Sequence, residues 1–179
     1  MEKENYTISI YTENNIGLLN RISSIFSKRH INLDSLTTSV SEIKEVYRFT
    51  IVVKVTKDQA RKLVGQIEKQ IEVIKAFYHK DEETIFQETA LFKLASKLLF
   101  DDRQIQSVIK EYNAHIITVT PEYFVLEITG SREQVEHLYN CLEPYGLMQF
   151  VRSGRIAITK DKMHISKILQ NFTALSSNS

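Results

Sequence analysis

One junction in the sequence carries residues suited to holding a small anion. After a strand-like opening, Glu13-Asn14-Asn15-Ile16-Gly17-Leu18-Leu19 leads into a segment of helical period. No Ser, Thr or Asp with a Glu or Gln three positions on stands there, so an Asn at best caps the first N–H groups of that helix. Those groups have no partner inside a helix, and they lie at the positive end of its dipole. Gly17 adds no side-chain bulk, so a ligand can approach the backbone closely. A small carboxylate suits such an end. The same residues also suit an ordinary Asn cap with glycine as a turn residue, and the junction alone leaves both readings open.

The other chemistry-bearing residues form no catalytic pattern. Cys141 is the single cysteine, which rules out an internal disulfide; it sits on the polar side of a helical stripe, and nothing marks it as a nucleophile. His30, His79, His115, His137 and His164 show neither H-x-x-x-H nor H-E-x-x-H spacing. Five glycines, with no P-loop and no G-x-G-x-x-G, leave little room for a phosphate cradle. Asp101-Asp102 reads as a helix cap and Glu82-Glu83 as solvated linker, not as a general acid–base pair. The expectation is a chain that is not an enzyme in its own right and holds neither metal nor cofactor.

Composition narrows the class further. With 23 basic and 22 acidic side chains, the formal charge is +1, so the basic excess typical of nucleic-acid binders is missing. No stretch approaches the ~20 apolar residues of a membrane span. Met1-Glu2-Lys3-Glu4-Asn5 has no apolar core of a secretion signal, so a cytoplasmic location is expected.

The elements that must position these residues follow from hydrophobic period. Tyr6, Ile8 and Ile10 alternate with polar residues as in a half-buried strand; Leu18, Leu19, Ile22, Ile25 and Phe26 then share a helical face. Leu33–Ser41 and Val46–Val55 are strand-like, with Tyr47, Phe49, Ile51, Val53 and Val55 on one side and Arg48, Thr50 and Lys54 among those on the other. Aromatics on that apolar face argue against an RNA-recognition domain, which exposes them for base stacking. Thr56 with Gln59 opens a second helix with stripe Ala60, Leu63, Val64 and Ile67, and Val73–His79 is the closing strand.

The β-α-β-β-α-β order then repeats. Thr89–Ala95 reads as a strand, Gln104–Tyr112 as a helix, and Ala114–Thr120 and Glu122–Thr129 as strands. Ser131 with Gln134 caps a helix with stripe Val135, Leu138, Tyr139 and Leu142, and Leu147–Val151 and Arg155–Thr159 close the unit. The fold class is α+β, with two tandem ferredoxin-like (βαββαβ) modules: 1–79, a linker at 80–88, and 89–160. Residues 161–179 form a short amphipathic tail with stripe Ile165, Ile168, Leu169 and Phe172, expected to pack back on its own, second module, with docking on a partner as the alternative, and its last residues read as frayed. Modules this small cover one sheet face only and leave edges open, so a homo-oligomer is expected.

Asn14-x-x-Gly17-x-Leu19-x-Arg21, then Phe26-Ser27-Lys28-Arg29 and Asn32-Leu33-Asp34-Ser35-Leu36-Thr37, closely resembles the start of the small regulatory subunits of acetolactate synthase (acetohydroxyacid synthase), an ACT-domain family. Lys69-Gln70-Ile71-Glu72-Val73-Ile74-Lys75 resembles the last strand of that module. Glu88–Lys93, Ile116–Pro121 and Arg152-Ser153-Gly154 resemble segments of the family's second module. The resemblance implies that 1–79 is an effector-binding ACT domain in a non-catalytic subunit. Such a subunit activates a large catalytic subunit carrying thiamine diphosphate, Mg²⁺ and FAD, and confers feedback inhibition by a branched-chain amino acid, valine first. It implies a homodimer through paired ACT modules with the effector between them, and no nucleic-acid or membrane partner. Carried over by position, Asn14 and Gly17 meet the ligand's carboxylate and amino end and Asn32 contributes from the strand side; Asn15, Ile16 and Leu18 lie in the same loop.

Three departures stand out. His30 replaces the family's usual glycine after the first helix, Gln87 an arginine before the second module, and Lys160-Asp161 an Arg-Gly pair. The alternative is a free-standing ACT-type amino-acid sensor that regulates transcription or another metabolic enzyme.

Overall fold

The computed structural model describes residues 2–101 and 103–176, with side chains for 2–100 and 103–170. The chain forms two compact units: residues up to Phe86 together with those from Arg155 onward, and Gln87–Gly154.

The first unit runs β1 (Glu4–Glu13), α1 (Leu18–Ser27), β2 (Ser35–Val40), β3 (Val46–Val55), α2 (Lys57–Ile67) and β4 (Val73–Lys80). Its antiparallel sheet has the order β2-β3-β1-β4, with Ile8 opposite Ile51 on one side and Tyr78 on the other. The period-2 residues Tyr6, Ile8 and Ile10 meet Phe49, Ile51, Val53 and Val55, and the stripes of α1 and α2 close over them. Thr56 and Gln59 make the expected capping box. The two sheet-facing helices thus fix where α1 begins, and with it the loop before Leu18.

Gln87–Gly154 repeats the order. β5 (Thr84–Ala95) enters it, followed by α3 (Lys97–Asp101), α4 (Arg103–Glu111), β6 (His115–Val119), β7 (Tyr123–Gly130), α5 (Arg132–Leu142) and β8 (Gln149–Arg152). Its strand order is β6-β7-β5-β8, over a core that includes Phe92, Leu94, Ile105, Phe124 and Leu138. Ser131 and Gln134 close the second expected capping box. The Asp101-Asp102 cap, Phe172 and the frayed end fall outside the residues or side chains described.

The structure departs from the sequence expectations in three places. Residues expected as a linker form a 3-10 turn (Asp81–Glu83) and the start of β5, in which Thr84 and Glu88 are buried. β9 (Ile156–Thr159), although it pairs with β5, and α6 (Ile165–Ser176) group with the first compact unit. The cause is a buried guanidinium: Arg155 donates to Thr7 Oγ1 at 3.0 Å, pairs with Asp81, and stacks 3.6 Å over the Phe86 ring. Leu169, fully buried, then packs with Tyr11 and Val46, so the outer face of the first sheet is partly covered rather than left open.

Candidate functional site

β1 delivers Thr12 and Glu13 to the end of the sheet, and α1 starts five residues on from Glu13, at Leu18. The N-cap between them is Gly17, in the left-handed conformation at φ 85° and ψ −3°, and no side chain bonds the helix's free N–H groups. Leu18 N reaches the Asn15 carbonyl at 3.4 Å, and Arg21 N donates to the Gly17 carbonyl at 3.2 Å. A Cβ on Gly17 would meet nothing within 4 Å, so the backbone angle, not crowding, calls for glycine. With no acidic residue in its first turn, this helix end keeps its positive character.

The loop faces a cavity of about 150 Å³. Asn14, Asn15, Gly17 and Leu18 line it from the loop, and Thr38, Tyr47 and Phe49 from β2 and β3. Thr12 also lines it, is wholly buried, and has an Oγ1 with no hydrogen-bond partner. A buried hydroxyl without a partner costs about 1–3 kcal/mol, so Thr12 is an unmet polar group in the cavity wall. The cavity therefore combines free N–H donors, amide side chains, an unmet hydroxyl and an apolar wall.

Two of the residues named from sequence lie elsewhere. Asn32 is exposed and lines a separate cavity with His30, Lys54 and Gln59. Ile16 is 98% exposed and lines neither cavity. Within one chain, the structure gathers Asn14, Asn15, Gly17 and Leu18, and leaves out Asn32 and Ile16. Thr12, Thr38, Tyr47 and Phe49 were not singled out as site residues. For Thr12 a signal existed: it continues the parity of Tyr6, Ile8 and Ile10, a polar residue on the core-facing side of β1.

The loop is held from behind. Glu72 accepts Glu13 N at its carbonyl at 2.9 Å, while its buried carboxylate pairs with Arg21 of α1 at 2.7 Å. His30 takes φ 54°, the left-handed angle that glycine meets without strain. Elsewhere, among the described residues, no three His, Cys, Asp or Glu side chains gather in a way that could hold a metal ion. Cys141 lies half-buried, 3.5 Å from the Tyr112 hydroxyl. No described helix is long and apolar enough to cross a membrane.

Comparison with known proteins decides the family. A profile described as "AHAS small subunit-like ACT domain" matches residues 8–75, and one described as "Small subunit of acetolactate synthase" matches 87–161. The acetolactate synthase small subunit of Mycobacterium bovis is 32% identical over 160 residues, covering 89% of this chain and 95% of that protein. The chain belongs to the acetolactate synthase small-subunit family. The Bacillus subtilis member is likewise 32% identical, over 154 residues, covering 86% of this chain and 89% of that one. The crystal structure of the small subunit from Thermotoga maritima superposes with a TM-score of 0.80 at 26% identity, covering 89% of this chain and 99% of that one. The family thus accounts for both units, with the ACT domain as the one that carries the Gly17 loop.

Proposed function

We infer that this chain is a non-catalytic regulatory subunit: it activates an acetolactate synthase large subunit and makes that enzyme sensitive to a branched-chain amino acid, valine first. Membership in the small-subunit family supports the partner. The observation that carries the effector is the uncapped N-terminus of α1, facing a cavity whose wall includes Thr38, Tyr47 and the buried Thr12 and Phe49.

A zwitterionic amino acid needs donors for its carboxylate and oxygen acceptors for its ammonium, with an apolar wall for its side chain. Free N–H groups at Gly17 and Leu19 supply the first, the Asn14 side-chain carbonyl the second, and Leu18 and Phe49 the third. The cavity, at about 150 Å³, is smaller than the ~300–1,000 Å³ of ordinary ligand sites. That size suits a half-site. Pairing two ACT modules would complete it, with Asn32 coming from the second copy, which accounts for its distance from Asn14 within one chain. The thiamine diphosphate, Mg²⁺ and FAD of the reaction then belong to the catalytic partner.

The test is a thermal melt with valine, leucine and isoleucine, alongside reconstitution with the large subunit. A saturating effector at about 100 times its Kd stabilises by about 2.7 kcal/mol, a rise on the order of 5–10 °C for a chain of this length. Gly17→Asp places a charged side chain at a left-handed position in the cavity and should remove that rise. No shift with any of the three amino acids, together with no association with a large subunit, would sink the reading.

A further inference from the structure

A second cavity, of about 370 Å³, lies within the first unit on the sheet face opposite α1 and α2. Its floor is the outward parity of β1 (Thr7, Ser9 and Tyr11) with Arg48 of β3 and His79 of β4; β9 and the start of α6 form its roof. The volume falls in the ordinary range for small-molecule sites, ~300–1,000 Å³.

Arg48 gives it a chemical character. The guanidinium contacts Ser9 Oγ at 3.3 Å, the Ala157 carbonyl, and the Tyr11 ring with its centroid 5.6 Å away. Its Nε is buried with no hydrogen-bond partner, and among the described residues no carboxylate pairs with it. The two carboxylates on the rim are engaged elsewhere: Glu42 accepts Ser166 Oγ at 3.0 Å, and Asp161 lies 4.0 Å from His79 Nε2. A part-buried cation without a counter-ion is costly, and an arginine's planar fork matches a carboxylate. Beside it, Tyr11 and Phe77 pack edge to face with ring centroids 6.4 Å apart and offer an apolar wall. The lining thus offers a carboxylate one cation without a counter-ion and an apolar wall for a short hydrocarbon.

We propose that this cavity is a second ligand site, distinct from the Gly17 loop, that takes a small aliphatic monocarboxylate. The carboxylate pairs with Arg48, and the hydrocarbon rests on Tyr11 and Phe77. Because β9 and α6 form the roof, an occupied site holds the tail against the sheet.

Isovalerate is the probe, a branched monocarboxylate with no ammonium group, titrated into the full chain and followed by amide NMR. The expected result is saturable shifts at Ser9, Tyr11, Arg48, His79 and Ile158, not displaced by excess valine. Arg48→Met should weaken binding by roughly tenfold or more, and Arg48→Lys by less. Ser9→Met fills the floor while keeping the Arg48 guanidinium and its bond to the Ala157 carbonyl, and should abolish binding, which covers the case in which Arg48→Met is poorly folded. The proposal is overturned if the wild-type chain shows no saturable shifts, if valine displaces the probe and the shifts map to Asn14–Gly17, or if Arg48→Met and Ser9→Met both bind as the wild type does. Because the isovalerate shifts are recorded before any valine is added, their absence is separate from failure of the regulatory reading.

Discussion

Gly17 and His30 bracket α1 with the same left-handed backbone angle, and only one of them is the residue that angle favours. At Gly17 the cost of any side chain is conformational, because nothing stands within 4 Å of a Cβ. Gly17→Ala should therefore lower stability by about 1 kcal/mol, read as a reduced urea midpoint with an unchanged slope. At His30 the sign reverses. Relief of the left-handed penalty outweighs the added freedom of the unfolded chain, so His30→Gly should gain about 0.5–1 kcal/mol in the same measurement. The angle at His30 was legible in the sequence, since a helix end followed by an extended segment commonly needs it. Thr12 was not read as a site residue. Its parity was visible, but whether a hydroxyl at a strand end finds a partner depends on the packing of Thr38, Tyr47 and Phe49, which no local pattern contains.

Among the elements, regular ones were read well and irregular ones poorly, for a physical reason. β1, α1, β3 and α2 carry unbroken periods of two or 3.6, and each capping box found in the sequence closes in the structure. β5 was partly taken for a linker because its buried positions include Thr84 and Glu88, the latter beside Arg152 at 3.4 Å. Polar residues paired inside a fold look like solvated ones in a composition. The tail shows a related limit: its stripe revealed an amphipathic helix but not its address, which Arg155 and Leu169 set through contacts far away in sequence. Leu169→Ala should cost about 2–3 kcal/mol in urea unfolding, because the side chain is fully buried against Tyr11 and Val46. At the same end of β1, the Arg21–Glu72 pair ties α1 to the residue whose carbonyl fixes Glu13. Arg21→Met leaves the buried Glu72 carboxylate unpaired. It should lower stability by about 1 kcal/mol, reduced from the fully buried case because Arg21 is half exposed, and should raise the valine concentration needed to shift the melt.

At the scale of the whole molecule, the family explains the repeated order, but the separation of the proposed effector residues follows from the geometry of a single chain. Asn14 and Gly17 line one cavity and Asn32 another, so the regulatory reading requires a second copy to bring them together. We propose the open edge of β2 as its surface, where Val40 is 70% exposed. An isologous pairing sets each edge residue near its own two-fold mate, so one added charge acts twice. Val40→Lys should thus yield a monomer in sedimentation and lose the valine-induced rise in melting temperature, although Asn14, Gly17 and Asn32 are all intact. Binding by a monomer at wild-type affinity would show that the Gly17 loop is a complete site and would remove the reason for pairing. Loss of both together would make dimerisation and effector binding linked equilibria, in which the effector can act on a partner enzyme only as far as it favours one paired arrangement over another.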